Sequence, residues 1–82
     1  PHHSLTQDNT VTNKRIDSLL KELEEAEEGP GKVDILKDLC GEYRDIDREK
    51  ALYYGNLGLK LAEKINYQEG IAKCLNNKYT YI

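Results

Sequence analysis

The sequence predicts an all-α fold: an antiparallel helix-turn-helix solenoid of four helices. Apolar residues recur at three- and four-residue spacing in four separate stretches, the signature of amphipathic helices. The breaks between them are short, so consecutive helices must lie as antiparallel neighbours. No stretch alternates with a period of two for long enough to propose a strand.

Residues 1–11 are polar and without periodicity, which predicts a largely disordered tail. Its opening Pro1-His2-His3-Ser4 reads as the remnant of an expression tag. The helical domain is placed at residues 12–82. Thr12 or Asn13 can cap the first helix, along which Ile16, Leu19, Leu20, Leu23 and Ala26 form an apolar stripe. Glu22, Glu24, Glu25, Glu27 and Glu28 crowd its C-terminal end, where the helix dipole disfavours anions. Gly29-Pro30-Gly31 is expected to stop it through a left-handed glycine and the donor missing from proline.

A second helix is predicted from about Gly31 to Arg44, with Val33, Leu36, Leu39, Cys40 and Tyr43 as its stripe. Asp45-Ile46-Asp47 then turns the chain, and Asp47 is suited to cap the third helix. That helix, from about Arg48 to Ile65, is apolar on several sides and should be buried between neighbours. Asn66 tolerates the conformation that ends a helix. The fourth helix, from about Gln68 to Tyr81, carries Ile71, Leu75, Tyr79 and Ile82.

Eighty-two residues allow one domain. A chain of this size buries only about 60% of its unfolded surface and often needs a disulfide, a metal or association to hold it. Cys40 and Cys74 form no Cys-x-x-Cys pair, and the two histidines sit at the N-terminus, so no structural zinc site is expected. No apolar run approaches the ~20 residues of a membrane span, and no apolar signal region is seen. The start at Pro1 and the absence of methionine are expected of a processed or excised piece.

Charge is unevenly spread. Residues 1–47 carry −6 and residues 48–82 carry +3. An ordinary solvated surface accounts for such clustering; head-to-tail stacking of an acidic half on a basic half is the sharper reading. The basic residues are scattered rather than gathered in a stripe, which argues against nucleic acid.

From Val33 onward the chain resembles a tetratricopeptide repeat. Leu36, Leu39, Cys40 and Tyr43 fall where that family places a bulky residue, Leu, a small residue and Tyr. Ala51 matches the small residue of the second helix, after a turn one residue shorter than usual. Residues 63–72 are similar to the junction found in bacterial tetratricopeptide signalling proteins, and Leu75-Asn76-Asn77 to the opening of their next repeat. The likeness covers roughly residues 32–77, about one and a half to two repeats. A shift of 38 residues pairs Leu19 with Leu57, Leu23 with Leu61, Val33 with Ile71 and Tyr43 with Tyr81. Gly55 and Gly58 depart from the family's alanines; degeneracy and close helix approach are equally good explanations. Lys78-Tyr79 departs too, where a bulky and then a small residue belong.

The resemblance implies a non-catalytic protein- or peptide-binding module, part of a longer array. Its groove would be lined by Asp34, Lys37, Gly41 and Arg44 of the second helix and Lys73, Asn76, Asn77 and Thr80 of the fourth. Lys37, Arg44 and Lys73 could hold carboxylates, and Asn76 and Asn77 could bond a peptide backbone. Ile71, Leu75, Tyr79 and Ile82 would be exposed in a monomer and are expected to drive self-association into a homo-oligomer. The other readings are a purely structural self-assembling or capping bundle, and the sensor region of a bacterial kinase or transcription regulator. A cytoplasmic location is expected, with a periplasmic sensor left open. No enzyme activity, cofactor or metal is expected: Asp45 and Asp47 read as helix-end residues, the glutamates as a solvated face, and Cys40 as core. Cys74 is assigned no role, because the ordered chain offers a thiol no histidine partner. Gly29-Pro30-Gly31 lacks the spacing and the lysine of a phosphate loop.

Overall fold

The computed structural model describes residues 2–79, with side chains at 11–77. It is all-α, built from α1 (His2–Glu25), α2 (Pro30–Tyr43), α3 (Arg48–Lys64) and α4 (Gln68–Tyr79). α2 touches each of the other three helices and α3 also packs on α4, while α1 lies mainly along α2 and shares apolar clusters with α3.

α1 departs from the expectation at both ends. It starts ten residues before Thr12, so Thr12 and Asn13 lie inside the helix and cap nothing, and residues 2–11 are helical rather than a disordered tail. No glycine or proline stands between His2 and Gly29, so nothing in the chain interrupts a helix there. At the other end α1 stops at Glu25, with the Ala26 amide donating to the Leu23 carbonyl at 3.3 Å. No described glycine takes a left-handed backbone. Gly29 is instead the N-cap of α2, its carbonyl accepting from Lys32 and Val33, and Pro30 opens that helix. Proline suits the first helical turn because its missing donor has no partner there anyway.

The later boundaries agree closely with the sequence. Asp47 caps α3, accepting the Lys50 amide at 3.2 Å. Asn66 has a left-handed backbone, φ 59°. The Asn66 amide donates to Glu63 at 3.2 Å and the Tyr67 amide to Ala62 at 2.8 Å, the paired bonds of a Schellman end. That closure turns the chain sharply from α3 into α4.

Two apolar clusters hold the helices. One joins Ile16 of α1 to Leu39, Cys40 and Tyr43 of α2 and Ala51 of α3; the other joins Val33 and Leu36 to Leu61, Ala62 and Cys74. Leu23 and Tyr54 pack against both. Tyr54 stacks on Tyr43 at 5.7 Å between centroids and meets Tyr53 edge-on at 5.0 Å.

Gly55 and Gly58 are both buried in α3, not surface-facing. A Cβ on Gly55 would stand 3.1 Å from Cys40 Sγ. One on Gly58 would stand 3.0 Å from Cys74 Sγ and 3.2 Å from Leu36 Cβ. Close helix approach is therefore the explanation the packing supports. Cys40 is core as expected, and Cys74 is core as well.

Candidate protein-interaction surface

The neighbouring positions of α2 and α4 are set by small residues. Gly70 is buried, and a Cβ there would strike the Tyr67 ring and come within 2.9 Å of Val33 Cγ1. α4 thus approaches α2 through Gly70 and Cys74. Two polar ties hold this approach: the Tyr67 hydroxyl donates to Asp34 Oδ1 at 3.3 Å, and Asn77 Nδ2 donates to the Lys37 carbonyl at 3.2 Å.

Lys37, Lys73, Asn76 and Asn77 are accordingly carried on two adjacent helices. Their roles differ from the expectation. Asn77 is half-buried and spends its amide on α2, so it fastens the surface rather than offering a backbone bond to a peptide. Lys37 is half-buried and pairs with Asp38 at 2.9 Å. Lys73 is exposed and pairs with Glu69 one turn back at 3.0 Å. Asn76 is exposed. Arg44 is exposed at the end of α2, where its amide donates to Gly41 at 3.4 Å. Thr80 lies outside the described residues.

Electrostatics tie these groups together. The Glu69 carboxylate, by hydrogen bond and by charge, pushes the Lys73 ammonium above its ordinary value. Desolvation raises the Tyr67 phenol first, and the charges of Asp34 and Glu69 add to it. Burial also raises the Cys74 thiol, with Cys40 nearby adding in the same direction. A protonated, buried thiol is a poor nucleophile and fits packing rather than chemistry.

Of the residues assigned to self-association, Ile71 was expected on an open face and instead packs against the second cluster. The rotation that turns Gly70 and Cys74 inward carries Ile71 partly with them. Leu75 is half-buried and belongs to neither cluster. The side chain of Tyr79, and Ile82 altogether, lie outside what the structure describes. Asp34 was expected in the groove, whereas Tyr67 and Gly70 were not singled out from the sequence as members of this surface. A glycine in the first turn of a helix, three residues after a tyrosine, is the signal that points to them.

Among the described residues no group of three or more His, Cys, Asp or Glu is placed to hold a metal, and no helix is long and apolar enough to cross a membrane. The fold and surface define an all-α chain with a polar face shared by two adjacent helices. Comparison with family models, curated proteins and solved structures finds no match.

Proposed function

We propose that the chain is a non-catalytic module that binds a protein or peptide segment across α2 and α4, in the manner of a tetratricopeptide array. The observation that carries this reading is the paired face itself. α2 and α4 lie side by side, held by Tyr67–Asp34 and Asn77–Lys37, with Lys37, Lys73 and Asn76 displayed across them. Rigid helices presenting charged and amide groups at a fixed separation lower the ordering cost of binding an extended segment. Lys37 and Lys73 each already hold one carboxylate in the chain, so an acidic segment would exchange partners there.

Selection from a random peptide display library tests the reading. Peptides rich in carboxylates should be enriched against the wild-type chain and weakened at least tenfold against Lys37→Glu/Lys73→Glu. Enriched peptides that bind the double variant equally well would contradict it, as would the absence of any enriched sequence.

Association of copies belongs to the same reading, and one observation favours it. Among the described residues α4 has neighbours only in α2 and α3, and of its apolar side chains Ala72 is exposed and Leu75 half-buried.

A further inference from the structure

The backbones of α1 and α3 stay apart on either side of α2, and an apolar hollow of ≈ 290 Å³ opens between them. It is lined by buried Leu36 and Leu61, half-buried Leu23, and Leu57, which is 37% exposed. Glu28 and Lys32 complete the lining. Glu28 brings no free charge, since both of its carboxylate oxygens lie 3.1 Å from Lys64 Nζ. Half-buried Lys32 holds no carboxylate among the described residues. Glu24, Glu25 and Glu27 are close in sequence and exposed, but they do not line the hollow. What the lining offers a ligand is four leucine side chains and one uncompensated cation.

We infer that this hollow binds a small linear aliphatic carboxylate, its chain against the four leucines and its carboxylate on Lys32. An apolar lining with a single well-placed polar group is the usual form of a small-molecule site, and ≈ 290 Å³ stands at the small end of the range. A macromolecular partner fits less well. A stable protein interface needs about 800 Å² on each side. Among the described residues of α3, only Tyr53 and Leu57 are large exposed apolar side chains. Covering Leu57 removes apolar surface from water, and a carboxylate gives Lys32 a charge-assisted hydrogen bond. The hollow shares no charged group with the α2–α4 face, so it stands or falls independently of peptide binding there.

Calorimetric titration with butanoate, hexanoate, octanoate, octanol and octylammonium tests the site, together with amide shifts of the ¹⁵N-labelled chain. Carboxylate affinity should rise about fourfold per added methylene. Octanoate should bind roughly tenfold more tightly than octylammonium. The shifts should centre on Leu23, Lys32, Leu57 and Leu61. Lys32→Gln keeps much of the side-chain stem and removes the charge; it should weaken octanoate roughly tenfold and leave octanol unchanged. Leu57→Glu, at an exposed position, should abolish both, with circular dichroism confirming helicity. Should that variant unfold, the Lys32→Gln comparison decides by itself. No binding of octanoate at millimolar concentration overturns the inference. So does equal binding of octanoate by Lys32→Gln, or equal affinity for octanoate and octylammonium. Shifts centred on Lys73 and Asn76 also overturn it, because the carboxylate would then sit on the α2–α4 face.

Discussion

At the scale of single residues, three glycines decide how near the helices come. Alanine in place of glycine favours a helix interior by ~1 kcal/mol, while overpacking a tight site costs about 1–3 kcal/mol. At Gly70 the obstacle is an aromatic ring tethered through its hydroxyl to Asp34, together with a Val33 methyl. At Gly58 it is the stiff Leu36 Cβ as well as a sulfur, and at Gly55 the Cys40 side chain alone. Gly70→Ala should therefore be the most destabilising, Gly58→Ala should lose about 1 kcal/mol net, and Gly55→Ala should be near neutral. Urea denaturation of the three variants gives the order. A Gly55→Ala/Gly58→Ala double variant with a higher melting temperature than wild type would remove close packing as the reason for these glycines.

At the scale of elements, legibility depended on whether local chemistry or its absence set the boundary. Asp47 and Asn66 were readable because each residue satisfies or closes the backbone at its own position. Asp47→Ala should cost about 1 kcal/mol through the lost cap to Lys50. Asn66→Ala should cost roughly 1–2 kcal/mol because the left-handed backbone crowds a Cβ, whereas Asn66→Gly should not destabilise. Melting curves of the two Asn66 variants separate a conformational effect from loss of the amide. The start of α1 was not readable: Thr12 and Asn13 look like caps, but a cap is used only where a helix begins. The Gly29-Pro30-Gly31 break was legible, yet it serves the entry to α2 rather than the exit from α1. The rotation of α4 was hidden for a different reason. Periodicity placed Ile71 and Leu75 on one stripe, while the small Gly70 and Cys74 were what packing turned inward.

At the scale of the whole molecule, the groups with shifted titration among the described residues all move the same way. Cys74, Tyr54, Tyr67 and Lys73 are each raised from ordinary values of 9.0, 10.0, 10.0 and 10.5. A raised folded value means that the native state holds its proton where the unfolded chain has released it. Their contribution is thus fully present below the unfolded values and is lost as pH climbs through the folded ones. Stability should be flat through neutrality and fall above about pH 9, the side on which Cys74 begins to titrate. Urea titrations on either side of that pH check the sign, and Cys74→Ala should show a shallower alkaline decline than wild type.

The functional reading also belongs to this scale, because no single residue carries it. Lys37, Lys73 and Asn76 were grouped on the strength of the resemblance alone, while the ties that bring their helices together, through Asn77 and Tyr67, emerge only in the fold. The most direct measurement is an amide chemical-shift map of the ¹⁵N-labelled chain titrated with a selected acidic peptide. Shifts should concentrate at Asp34, Lys37, Gly41, Lys73 and Asn76, on the face shared by α2 and α4. Shifts confined to exposed Tyr53 and Leu57 of α3, or to α1, would contradict binding across that face.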